Sequence, residues 1–68
     1  MPPQQVTAED VHNWSAPHVQ ARWRGLLTPE QRDAMTAAEL RHHQRGTDAQ
    51  TEANAINEQW SQMFDPLP

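Results

Sequence analysis

Residues 47–64 read TDAQTEANAINEQWSQMF and form the most regular segment of this 68-residue chain. Small or apolar residues recur in this segment at alternating intervals of four and three positions. They are Ala49, Ala53, Ile56, Trp60 and Met63. This spacing places a narrow apolar stripe along one side of an α-helix and leaves the polar residues on the remaining surface. The segment therefore predicts a long amphipathic helix near residues 48–64 that packs against a single partner.

Threonines mark the predicted start of this helix and of three others, because each is followed three positions later by a carboxylate or amide side chain. The pairs are Thr7 with Asp10, Thr28 with Gln31, Thr36 with Glu39, and Thr47 with Gln50. In such a capping box the hydroxyl accepts a hydrogen bond from a first-turn N–H, and the later side chain accepts one from the threonine N–H. Two of these starts are also flanked by hydrophobic pairs of the staple type, Val6 with Val11 and Met35 with Leu40.

Prolines and glycines set the remaining boundaries. Pro17 disfavours a helical residue before it and so divides residues 8–24 into two helices, whereas Pro29 stands at a first helical position, where its missing N–H costs nothing. Gly25 and Gly46 follow basic last turns, as is common at helix C-termini. The sequence therefore predicts an all-α fold, a small bundle of about four to five short helices with a longer C-terminal helix. The predicted helices lie near residues 8–14, 17–24, 29–35, 37–45 and 48–64, in one domain over residues 7–64 between extended, proline-containing tails at 1–6 and 65–68.

Composition predicts a thin core. Only 35% of the residues are hydrophobic, the net charge is −4, and there is no cysteine from which to build a disulfide framework. No apolar run approaches the length of a membrane span, and the first residues lack the features of a signal peptide, so we expect a cytoplasmic protein. All five basic residues are arginine. A compact helical chain of this kind is typical of small phage-encoded structural or accessory proteins, for which a virion location is the alternative.

The apolar stripe of the last helix is longer than the stripes available to cover it. Shorter stripes lie in the first two predicted helices, which we expect to bury Trp14 and Trp23 in the core. The aromatic end of the long stripe is then left for another protein or a second copy of the chain, since a large aromatic side chain is a favoured interface anchor. The predicted partner-binding residues are Ile56, Trp60, Met63 and Phe64.

Catalytic chemistry has little support in the sequence. The chain has no cysteine or tyrosine and only two glycines, so it lacks a thiol nucleophile and a glycine-rich phosphate loop. We therefore expect a non-enzymatic protein with no catalytic residues and no cofactor.

A metal site is a further, less favoured interpretation. Glu39 and His42 are three positions apart and share a helix face, as in carboxylate-bridged di-iron bundles, with His43 beside them. Such a site needs more ligands from a symmetry-related chain. We expect instead that Glu39 caps its own helix, that His42 and His43 lie on a solvated face, and that His12 and His18 are surface or staple residues and not ligands.

The leading alternative function is DNA binding through residues 7–24, because two short helices with a tight break between them are similar to a helix-turn-helix. The second helix would offer His18, Gln20, Arg22 and Arg24 to the major groove. The turn lacks the usual glycine, however, and an acidic chain without lysine binds phosphates weakly. An assembly or interaction protein remains the preferred prediction.

Overall fold

A computed structural model of the chain describes residues 5–64, with side chains up to residue 62. It contains four helices, α1 (Ala8–His12), α2 (Pro17–Arg22), α3 (Pro29–Arg45) and α4 (Ala49–Phe64). No strand occurs within the described residues, which confirms the predicted all-α class. The predicted tails at 1–6 and 65–68 lie outside this part of the chain, apart from residues 5 and 6. None of the helices found between residues 5 and 64 has the length and apolar character needed to span a bilayer.

The predicted capping boxes are confirmed at two helix starts. At α1, Asp10 N–H donates to Thr7 Oγ1 over 3.3 Å while Thr7 N–H donates to Asp10 Oδ2 over 2.9 Å. At α3, Gln31 N–H donates to Thr28 Oγ1 over 3.1 Å and Thr28 N–H donates to Gln31 Oε1 over 2.8 Å. Each box satisfies N–H groups that have no acceptor within their own helix.

The predicted division between helices 29–35 and 37–45 is wrong, because α3 runs without a break through Thr36. The Thr36 hydroxyl donates to the Arg32 carbonyl one turn earlier, over 3.0 Å, and accepts from Trp14 Nε1 over 3.1 Å. A threonine with its hydroxyl bonded in this way is compatible with a helix interior. The predicted staple is also absent, since Met35 is buried and Leu40 is exposed.

The start of α4 differs from the prediction by one residue. Asp48, rather than Thr47, accepts the hydrogen bond from Thr51 N–H, over 2.9 Å. Gly46 ends α3 with φ 74°, a left-handed conformation that glycine adopts without strain, and its N–H donates to the His42 carbonyl. α1 and α2 each end two residues earlier than predicted, so both Trp14 and Trp23 follow a helix.

The core lies where α1, α3 and α4 pack against one another. Its buried hydrophobic residues among those described are Val6, Val11, Trp14, Val19, Trp23, Met35, Ala38, Ala53, Ile56 and Trp60. Trp14 and Trp23 are therefore core residues, as predicted.

Val6 belongs to this core and not to a tail. Its N–H donates to Asn57 Oδ1 and its carbonyl accepts from Asn57 Nδ2, both over 2.8 Å. This pair of hydrogen bonds attaches the segment before α1 to the middle of α4.

Candidate functional site

The predicted partner-binding residues on α4 are in part core residues. Ile56 and Trp60 are 4% and 3% exposed, and the Trp60 ring packs edge-on against Trp23 with ring centroids 6.2 Å apart. The expectation that Trp60 protrudes is therefore wrong, because the residues after α2 cover more of the stripe than the sequence suggested. The side chains of Met63 and Phe64 lie outside the described part, and their role stays a prediction.

Among the described side chains, the most exposed large hydrophobic one is Leu40, at 54%, on the opposite side of α3 from the core. It stands between two surface depressions of about 290 and 340 Å³. We call the first of these the Leu40 surface, and its residues are Ala37, Leu40, Arg41, Gln44 and Arg45. The residues of the second are Ser15, Thr36, Glu39, Leu40 and His43. The Leu40 surface escaped the sequence argument because Leu40 was assigned to a staple at a helix start that does not exist.

The residues predicted to contact DNA are largely engaged within the chain. Arg22 lies 3.4 Å from the buried Asp10 carboxylate and 4.0 Å from that of Glu9. The Gln20 amide donates to the Trp14 carbonyl over 2.6 Å and accepts from Arg32 over 3.2 Å. These contacts give α2 a structural role.

His18, Arg22 and Arg24 are the exposed members of the predicted DNA-binding set, and of these Arg22 is paired with Asp10 and Glu9. His18 is 66% exposed and its Nε2 lies 3.9 Å from the Glu9 carboxylate. Arg24 follows α2 in a turn. Because Arg22 is paired with two carboxylates and His18 lies beside Glu9, the three exposed groups form a weak electrostatic footprint for a nucleic acid.

An ion pair links α3 to α4 beside the Leu40 surface. The Arg41 guanidinium donates to both carboxylate oxygens of Glu52, with Nη2 2.7 Å from Oε1 and Nε 3.0 Å from Oε2. This hydrogen bonding holds the pKa of Glu52 below its ordinary value and raises the pKa of Arg41. The pair keeps the two helices in register next to the exposed leucine.

Three of the four histidines form a cluster at the junction of α1 and α3. His12 is the last residue of α1, and His42 and His43 lie in the last turn of α3. The three ring centroids are 4.9 to 5.0 Å apart, and one potential ligand nitrogen from each ring lies within 4.8 Å of the others. We call these residues the histidine cluster.

Hydrogen bonds orient each ring of the histidine cluster. His42 Nδ1 contacts the Thr47 carbonyl, and His43 Nε2 lies 2.8 Å from the His12 carbonyl. A carbonyl oxygen only accepts, so both of these nitrogens carry a hydrogen. His12 Nδ1 lies 2.8 Å from His42 Nε2, and in neutral rings it donates to that nitrogen.

Glu39 does not take the place that the sequence predicted for it. Its carboxylate accepts from the Ser15 N–H over 3.1 Å and from Ser15 Oγ over 3.0 Å, instead of capping a helix at Thr36. The group of side chains able to share a metal ion contains His12 and not Glu39. The sequence predicts His12 to be a surface or staple residue and not a ligand. It is exposed, but its contact with α3 joins residues 30 positions apart, which no local motif reveals.

Comparison of the chain with protein-family models, with curated proteins and with solved structures finds no match.

Proposed function

We propose that this chain is a small non-enzymatic assembly protein and that the Leu40 surface is its docking site. The observation that supports the proposal is the 54% exposure of Leu40, since the core buries the other large hydrophobic side chains described on α3 and α4. Removing an exposed leucine from water stabilises a complex by about 25 cal/mol for each Å² of apolar area. The depressions on both sides of Leu40 allow a second protein to pack around it.

The charge next to Leu40 favours an acidic partner segment. Arg41 is held by Glu52, whereas Arg45 makes no ion pair within the described residues and lies at the exposed end of α3. A matching segment therefore carries an apolar side chain followed by a carboxylate.

The chain contains such a segment itself. The residues Met63, Phe64 and Asp65 combine large apolar side chains with a negative charge, and the last turn of α4 has no basic residue. We therefore propose that this end of one copy docks on the Leu40 surface of another. A contact between two different surfaces is heterologous, and it builds rings or open filaments from identical subunits.

A structural or accessory role in a phage, in the cytoplasm or in the virion, is the setting that we propose for such an assembly.

Sedimentation velocity over a range of concentrations tests the proposal. The wild-type chain is expected to self-associate, and less strongly at high salt because charges contribute to the contact. Leu40→Glu and Phe64→Ala are each expected to weaken association by tenfold or more, about 1.4 kcal/mol. Leu26→Glu is the control, since Leu26 is also exposed, at 38%, but lies outside the Leu40 surface.

A mixing experiment separates the proposed geometry from non-specific aggregation. Each single variant keeps one intact half of the contact, so an equimolar mixture of Leu40→Glu and Phe64→Ala chains is expected to form heterodimers. A wild-type chain that stays monomeric at every concentration contradicts the proposal, and so does an equal loss of association in Leu26→Glu.

A further inference from the structure

The histidine cluster brings together nitrogen ligands from two helices that are far apart in the sequence. Its members are supplied by the end of α1 and the last turn of α3, and they converge without any residue from another chain. Imidazole nitrogen is the ligand that zinc and its neighbours in the first transition series bind well, whereas calcium and magnesium prefer oxygen.

We propose that His12, His42 and His43 form a binding site for a divalent transition-metal ion, with Zn²⁺ as the best match. Three protein ligands leave one position of a tetrahedral zinc ion for water or for an added ligand. His43 also lines the second depression beside Leu40, but binding of zinc to a single chain is measured separately from the proposed self-association.

The distances within the histidine cluster suit this coordination after small adjustments. Zinc–nitrogen bonds of about 2.0–2.1 Å place the nitrogens of a tetrahedral site about 3.4 Å apart. His12 Nδ1 and His42 Nε2 are closer than this, at 2.8 Å, and the largest separation among the ligand atoms is at most 4.8 Å. Since His12 and His43 are exposed, their rings can rotate through the angstrom or so that is needed without disturbing the core.

Backbone carbonyls fix the tautomer of two of the rings. Metal-bound histidines usually donate their second ring N–H to a carboxylate or carbonyl, which fixes the tautomer and the orientation of the ring. His42 donates in this way to Thr47 and so turns an unprotonated Nε2 toward His12. His43 donates from Nε2 to the His12 carbonyl, so Nδ1 is the unprotonated nitrogen of a neutral His43 ring, and this exposed ring turns to direct Nδ1 at the ion.

The His12 ring needs a change of tautomer in addition to this rotation. The hydrogen between His12 Nδ1 and His42 Nε2 occupies the direction in which both nitrogens would bind the ion. When it moves to His12 Nε2, Nδ1 becomes a ligand.

The helix ends add a favourable potential. The histidine cluster lies at the C-terminal end of α1 and in the last turn of α3, and C-terminal helix ends carry a partial negative charge that favours cations. Binding there would also crosslink α1 to α3 and so raise the melting temperature in proportion to the logarithm of free metal concentration.

Titration calorimetry with Zn²⁺, on the full chain prepared without a histidine tag, tests the site. We expect one ion for each chain. His12→Gln, His42→Gln and His43→Gln are each expected to weaken binding by at least about tenfold, since even the loss of an outer hydrogen-bond partner has an effect of that size. His18→Gln is the matched control, because it removes the one histidine outside the cluster and is expected to leave the affinity unchanged.

Two further measurements keep the result independent of folding. Circular dichroism of each variant identifies any chain that has lost its helices, and the exposed His12 and His43 are the positions at which glutamine is best tolerated. The visible absorption of bound Co²⁺ reports whether the ion is tetrahedral. The proposal is overturned if folded His12→Gln and His43→Gln chains bind zinc as tightly as the wild type. It is also overturned if His18→Gln loses as much zinc affinity as the cluster variants.

Discussion

The carboxylate of Asp10 is fully buried, and Arg22 supplies the positive charge that pairs with it. Asp10 Oδ2 accepts from the Thr7 N–H and hydroxyl, and the Arg22 guanidinium lies 3.4 Å from Oδ1. A buried carboxylate requires paired charge and hydrogen bonds, because removing it from water costs several kcal/mol. Any test of DNA binding should therefore use Arg24→Ala, since an Arg22 variant changes the stability of the fold as well.

The Arg41–Glu52 pair predicts a specific pH dependence. The pKa of Glu52 is lowered in the folded chain, so the pair stabilises the fold above the unfolded pKa of about 4.3, and this contribution is lost as the pH falls through the folded pKa. Because Arg41 is 44% exposed and solvent screens the pair, Glu52→Gln is expected to cost only about 0.5 kcal/mol at neutral pH. Urea unfolding at pH 7 and near pH 3 measures the difference, which should be smaller at the lower pH. Glu58→Gln, at an exposed position of the same helix, should show no such change.

Helix starts were predictable from the sequence only where the cap needs no distant partner. The boxes at Thr7 and Thr28 are local, and both form as predicted. Thr36 has the same local pattern, but its hydroxyl is hydrogen-bonded to its own helix and to Trp14. The Glu39 carboxylate, which would complete the capping box, accepts a hydrogen bond from Ser15 instead. The deciding residues are more than twenty positions away, so a rule based on three-residue spacing could not detect them.

The start of α4 gives a direct test of which residue caps it. Asp48→Ala is expected to destabilise the chain by about 1 kcal/mol, the usual cost of losing an aspartate cap. Gln50→Ala is the control, because Gln50 would complete a capping box with Thr47 but instead donates to Asn54 on the exposed side of α4. Chemical denaturation measures both. If Gln50→Ala lowers the free energy of unfolding more than Asp48→Ala does, Thr47 and not Asp48 caps the helix.

At the scale of the whole molecule, the sequence predicted the fold class, part of the core and His42 and His43 as a less favoured metal site, but neither the contribution of His12 nor the Leu40 surface. The periodic stripe of α4 correctly indicated a packed face at Ala53, Ile56 and Trp60. What covers that face depends on how the turn after α2 brings in Trp23, and the histidine cluster depends on how α1 meets the end of α3. Both are consequences of tertiary packing between short elements, for which spacing along the chain carries no signal.

The position of Trp60 decides whether α4 serves the fold or a partner, and a single substitution distinguishes the two. Trp60 is 3% exposed and packs against Trp23, so Trp60→Ala is expected to cost about 3–5 kcal/mol of stability. A domain of this length has a total stability of only about 3–10 kcal/mol, so the variant should be largely unfolded or melt far below the wild type. Circular dichroism with thermal and urea unfolding measures this loss. Phe64→Ala is the comparison, since the proposed docking contact predicts that it impairs association and leaves helicity unchanged. If the Trp60→Ala chain keeps its helices and its stability but no longer associates, Trp60 contacts a partner and is not a core residue.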